Sequence, residues 1–188
     1  MTTTALLAMD FQVGVVARYG DALTVVDRAA EALGAARKHE LSIVYVRVAF
    51  RAGYPEVSPN NKSFSSLVAA GAQFTVDDPA TQIHPRLAPG ADEPVVLKKR
   101  VSAFAGSDLD VVLRGLGATS LVLCGIATSG VVLSTVRQAA DLDYRLTVLT
   151  DACADGDPEV HRVLTEKVFP RQASTVTVAE WTASLDTP

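Results

Sequence analysis

Apolar residues recur along the chain in short unbroken runs, separated by stretches whose apolar positions fall three and four apart. The runs occupy residues 5–9, 42–48, 94–97, 120–124, 146–149 and 175–178. An unbroken apolar run, unlike strict alternation, marks a strand covered on both faces, and strands that alternate with helices build a parallel sheet.

The intervening pattern places the helices. Residues 21–38 carry Leu23, Val26, Ala30, Leu33 and Ala36 near helical spacing and end before Glu40 and Leu41. Ser107 stands ahead of an apolar-periodic stretch at 108–114 as its cap, with Gly117 placed to stop it. Residues 128–142 present Val132, Leu133, Val136, Ala139 and Ala140 on one side, and residues 158–169 form a further amphipathic unit closed by Pro170. The architecture this predicts is three-layer α/β/α: a Rossmann-like, doubly wound, parallel six-stranded sheet. Residues 51–94 differ in character, holding Pro55, Pro59, Pro79, Pro85, Pro89 and Pro94 among Gly, Asn and Ser. They read as a long excursion over the sheet's edge, partly helical around 65–70, of the kind that forms lids or subunit contacts.

Bulk properties narrow the classes. With 188 residues and 48% apolar content, one domain over 1–188 is expected. A net charge of −4 offers no broad positive field for nucleic acid or anionic lipid, so neither is an expected partner. No stretch approaches the roughly 20 apolar residues that span a bilayer, and no basic segment precedes the first run, so a cytoplasmic protein is expected. Cys124 and Cys153 fall in a buried strand and a post-strand loop, spacing that suits neither a disulfide framework nor a zinc site.

In a doubly wound sheet, ligands bind beyond the carboxyl ends of the strands, where the strand order reverses. Polar residues that directly follow strands are therefore the candidates. Asp10 ends the first run, where it either serves as an acid or base or caps a turn. Lys98 follows the third run, either as a buried cation beside Asp10 or as a solvated loop charge, with Lys99 the next to test. The stretch from Val122 to Thr135 reads as strand, glycine-bearing turn and helix N-terminus, which aims backbone N–H groups at a developing anion. It contains neither a P-loop nor a GxGxxG fingerprint.

Taken in order, LLAMDFQ, VVLKKRVSAFAGSDLDVVLR, LVLCGIATSGVVLSTVRQAADLDYRLTVLTDACAD and DPEVHRVLTEKVFPRQA resemble the isochorismatase-like (cysteine hydrolase) superfamily over essentially the whole chain. That superfamily includes nicotinamidases, other carbon–nitrogen hydrolases and true isochorismatases. The resemblance implies a catalytic aspartate at Asp10. It implies a catalytic lysine at Lys98, six residues ahead of the phenylalanine of Ser102-Ala103-Phe104, and a cysteine three residues after the turn threonine. That last position is Val131. It also implies a non-proline cis peptide between Ile126 and Ala127, within a turn made by Ile126, Ala127, Thr128, Gly130 and Val131, with the N–H groups of Ala127 and Val131 as candidate oxyanion donors. Homodimers or homotetramers are common in the superfamily.

Nicotinamidases of this superfamily bind a metal through an aspartate and histidines after the second strand. Residues 46–55 hold no histidine, and His39, His84 and His161 are scattered, so neither metal nor other cofactor is expected. Phe11, Gln12, Phe50, Tyr54, Ser102 and Phe104 are the candidate pocket residues, with Phe64 a further aromatic that either lines it or joins the core.

Valine has no lone pair to donate, which closes a covalent route through position 131. True isochorismatases also lack the cysteine and use aspartate and water on a vinyl ether. That route needs a protonated Asp10, whereas a close Lys98 is expected to hold it ionised. Two readings stand. In one, a hydrolase uses Asp10, Lys98 and water on a small carbonyl or enol-ether metabolite. In the other, a catalytically silent relative binds a small metabolite or serves as a structural or regulatory subunit.

Overall fold

A computed structural model describes residues 3–20 and 22–186. Six parallel strands form one sheet: β1 (Thr3–Met9), β2 (Ser42–Val48), β3 (Val95–Lys98), β4 (Ala118–Ile126), β5 (Arg145–Ala154) and β6 (Ser174–Val176). Their order is β3-β2-β1-β4-β5-β6, so the winding reverses between β1 and β4. The helices are α1 (Val13–Val16), α2 (Ala22–Lys38), α3 (Lys62–Ala69), α4 (Leu109–Gly115), α5 (Leu133–Asp141), α6 (Pro158–Val163) and α7 (Val178–Leu185). Asp21, the expected start of α2, lies outside the described residues, as do Met1, Thr2, Thr187 and Pro188 at the ends of the expected 1–188 domain.

The unbroken apolar runs follow from burial on both sides. Along β1, Ala5, Leu7 and Met9 enter one core with Val44, Val46, Leu123, Leu113 and Val136. Leu6 and Ala8 enter the other with Ile43, Tyr45, Val122, Val26, Leu33 and Trp181. A strand with period 2 and helices on both faces must be apolar at every position. A third cluster of Val48, Phe50, Phe64 and Phe74 sits beneath the 51–94 excursion. Among the described residues no helix is long and apolar enough to cross a membrane.

Several element boundaries differ from expectation, each for a local reason. The expected strand at 175–178 stops at Val176, because Thr177 caps α7: its hydroxyl accepts from Glu180 N, and the Glu180 carboxylate accepts from Thr177 N. The helix expected at 128–142 is broken: residues Thr128–Val132 form a wide turn with Gly130 at φ −95°, ψ −106°, and regular helix begins only at Leu133. Glycine, lacking a Cβ, accepts that conformation. Cys153 lies within β5 and not in a loop, since β5 runs on to Ala154 after a bulge opposite β4. The 158–169 unit is a short regular helix over Pro158–Val163, a wide turn over Leu164–Val168, and a 3-10 turn that contains Pro170.

Candidate active site

Asp10 leaves β1 at the sheet's switch point with φ +57°, a left-handed conformation that aspartate tolerates better than most residues with a Cβ. Its N–H still donates to Val46 O at 2.8 Å, so the turn is anchored to β2. Lys98 ends β3, two strands away, in register with Val48. Its Nζ reaches past β2 to Asp10 Oδ2 at 2.8 Å, and also donates to the carbonyls of Arg100 and Val101, each at 3.0 Å. An ammonium has three protons to give, and each has an acceptor here. The carboxyl group is satisfied on one side only: Asp10 Oδ1 is buried with no hydrogen-bond partner. Asp10 is 6% exposed and Lys98 1%. Burial pushes the Asp10 carboxyl above its usual 3.8, with the Lys98 charge and hydrogen bond opposing without cancelling. Lys98 thus pulls the carboxyl toward its ionised form, as expected, while burial is the larger influence and acts the other way. Lys99, the neighbouring candidate, turns away and donates its Nζ to Ala49 O.

The third segment joins the other two through close backbone packing. Gly125 lies beside Met9, and a Cβ there would stand 2.5 Å from Met9 O. The Ile126–Ala127 peptide is cis. The wide turn follows, with Thr128 and Val131 both buried.

Two contacts hold this turn from outside, and sequence reasoning missed both. The Asp155 carboxylate accepts from Ser129 N at 2.7 Å, and Thr128 Oγ1 lies 2.8 Å from His161 Nδ1. Asp155 directly follows β5, the kind of position that marked Asp10, but the apolar run ends at Leu149 and hides the strand's true end. His161 stands in α6, which Asp157 caps and Pro158 opens. Burial lowers the His161 imidazole below its usual 6.5, with Asp155's charge opposing. Tyr19 belongs to the same neighbourhood: burial raises its phenol, helped by the charges of Asp155 and Asp10 and opposed by Arg18.

The candidate pocket residues are spread over three clusters. Phe11 packs on the α2 side of the sheet, and Phe104 on the opposite side, its ring 6.1 Å from Tyr144. Phe50 stacks edge-on against Phe64 beneath the excursion, with Tyr54 at 6.0 Å, and the Tyr54 hydroxyl donates to Ala72 O. The Ser102 hydroxyl donates to Gln138 Oε1 at 2.7 Å. Gln12 is fully buried: its amide donates to Val48 O and Thr81 O, and its oxygen accepts from Val48 N. That bracket, two residues after Asp10 in the chain, stitches the excursion to the end of β2.

Burial raises the Cys124 thiol well above its usual range, and Cys153 to about 12, where Gly125's N–H opposes. Among the described residues, no three of His, Cys, Asp and Glu gather as a group that could hold a metal ion.

Comparison with known proteins agrees with this fold. Residues 4–180 match the family model for the isochorismatase domain. The chain is 33% identical over 178 residues to the isochorismatase family protein YwoC of Bacillus subtilis, covering 95% of this chain and 92% of that one. It is 29% identical over 207 residues to the ureidoacrylate amidohydrolase RutB of Stutzerimonas stutzeri, covering 97% and 80%. An isochorismatase family protein from Burkholderia thailandensis superposes with a TM-score of 0.85 at 29% identity, covering 98% and 96%.

Proposed function

Because the chain belongs to the isochorismatase family, we propose that it is a hydrolase of a small metabolite in which Asp10 moves the proton, Lys98 fixes the charge, and water is the nucleophile. The observation that carries this reading is the asymmetry of one carboxyl group: Oδ2 engages Lys98 at 2.8 Å while Oδ1 is buried without a partner. An unsatisfied buried oxygen costs on the order of 1–3 kcal/mol, and a water or substrate that bonds it recovers that cost.

On an enol ether, protonated Asp10 delivers its proton to the terminal carbon of the double bond, whose π electrons form the new C–H bond. Water adds to the resulting oxocarbenium carbon and returns a proton to Asp10, and the hemiketal parts into carbonyl and alcohol. On an amide, ionised Asp10 takes a proton from water as its oxygen attacks the carbonyl carbon, and passes that proton to the leaving nitrogen. Either cycle leaves Asp10 as it began. The upward displacement of its carboxyl by burial supports the acid-first route, while the likeness to RutB supports C–N cleavage. A thiol route finds no support, since Val131 stands at the expected nucleophile position and both thiols are held protonated by burial.

The alternative is a catalytically silent protein that binds a small metabolite or acts as a structural or regulatory subunit. It is favoured by closure: Asp10, Lys98 and Val131 are each buried. A single domain and a homodimeric or homotetrameric assembly complete the reading, the assembly to be checked by light scattering.

The deciding assay offers the purified protein simple amides, ureido compounds, esters and isochorismate. Turnover of one class, reduced at least about 100-fold by Asp10→Asn in protein shown folded by circular dichroism, supports the hydrolase. Inertness across the panel favours the silent reading.

A further inference from the structure

The turn between β4 and α5 is held by the connection that follows β5 as well as by its own strand. Thr128 is fully buried, and its hydroxyl meets one partner, His161 Nδ1, at 2.8 Å. One residue on, Ser129 N is fixed by Asp155 Oδ2 at 2.7 Å. His161 is in turn tied into its own helix through the Thr165 hydroxyl, which donates to His161 O at 2.9 Å. His161 also belongs to the lining of a cleft of about 560 Å³, with Asp151, Arg162, Thr165 and Glu166.

We propose that His161 is a positioning residue for the hydrolytic site: its Nδ1 fixes Thr128, so that the Thr128–Val132 turn keeps the conformation in which its amides serve the reacting centre. The inference rests on the reading of this turn as part of the active site. A neutral ring with its proton on Nε2 accepts from the Thr128 hydroxyl. Without that acceptor, the hydroxyl of a fully buried residue is orphaned, and the kinked segment around Gly130 loses one of its two outside anchors. Asparagine at 161 carries an amide oxygen close to where Nδ1 stands, whereas leucine has no acceptor.

The reporter is Val131→Cys, which replaces a buried valine of the turn by a thiol and is read as the increment over the parent chain, whose own two cysteines give the background. Its alkylation by iodoacetamide is followed against pH. His161→Leu and Thr128→Val are each expected to slow the reaction about tenfold at pH 7 and to move its pH profile upward. The pair together should slow it no further than either alone, and His161→Asn should preserve the rate. Unchanged profiles in His161→Leu, or losses that multiply in the pair, overturn the proposal. Hydrogen exchange of the 126–133 segment, measured with valine kept at 131, gives an independent reading: His161→Leu should speed exchange about tenfold and His161→Asn should not. If the introduced thiol reacts at an ordinary rate throughout, the active-site reading of the turn fails, and the exchange experiment still decides whether His161 holds it.

Discussion

Lys98 Nζ and Asp10 Oδ2 stand 2.8 Å apart although β2 lies between their strands. The lysine's length allows this: Lys98 is in register with Val48, and its side chain passes that residue's end of β2 to reach the carboxylate. Among the described residues, each is the other's only ion-pair partner. Removing one partner of a buried pair costs far more than the pair contributes as a whole.

Asp10→Asn should therefore lower stability by about 3 kcal/mol, because it leaves a buried ammonium without its counter-ion. Adding Lys98→Met should restore about 1–2 kcal/mol of that loss, though not all, since the carbonyls of Arg100 and Val101 lose their donor. Urea denaturation of the two single variants and the double closes the cycle. Additive losses would count against a coupled pair.

Gly125→Ala tests the contact that brings β4 against β1. The new methyl would meet Met9 O at 2.5 Å and Met9 Cβ at 3.0 Å, and the backbone oxygen cannot swing aside. We expect a loss of about 2–3 kcal/mol in chemical denaturation, together with loss of any activity. A variant as stable as the parent would show the two strands to be less closely packed.

Gln12→Leu keeps much of the volume and removes three buried hydrogen bonds, leaving Val48 N and Val48 O to find partners and Thr81 O with its bond from Arg47 Nη1 alone. The expected cost is about 2–4 kcal/mol. Limited proteolysis should then cut first within 51–94, because this bracket ties the excursion to β2.

His161 gives stability a pH dependence whose sign follows from its direction of shift. The folded imidazole protonates less readily than the unfolded one at 6.5, so below that pH the unfolded state takes up protons first. Its contribution is whole above pH 6.5 and is lost as pH falls through that value toward the lower folded one. The carboxylates held below their usual range, Glu56, Glu93, Glu159, Glu180 and Asp186, act only under about 4.5, whereas Asp10, pushed up by burial, has the opposite sign and adds stability as pH falls. Denaturation curves between pH 7 and 5 should therefore show a decline in the parent relative to His161→Asn, in which Asp10 is unchanged. An identical decline in that variant would assign it to other groups.

Some elements hid because their signals are local hydrogen bonds and not apolar periodicity. Thr177 and Glu180 stand three apart as a capping box, yet Val176 and Val178 flank the threonine and read as a strand continuing. Asp155 was hidden by the bulge in β5, where Thr150 and Asp151 interrupt the apolar run before the strand resumes beside Gly125. Gln12 reads as a polar side chain beside a site. Only the folded chain shows its amide filled by backbone groups 36 and 69 residues away in sequence.

The sequence by itself determined the parallel doubly wound sheet and the three segments at its carboxyl edge. Burial on both faces writes itself into every residue of a strand, and Asp10, Lys98 and the glycine turn each stand where an apolar run ends. Tertiary structure alone decided that Lys98 and not Lys99 meets Asp10, that desolvation outweighs the neighbouring cation, and that His161 and Asp155 grip the turn. Those outcomes depend on distances between residues far apart in the chain and on how much water remains around them, and neither quantity has a local signature in sequence.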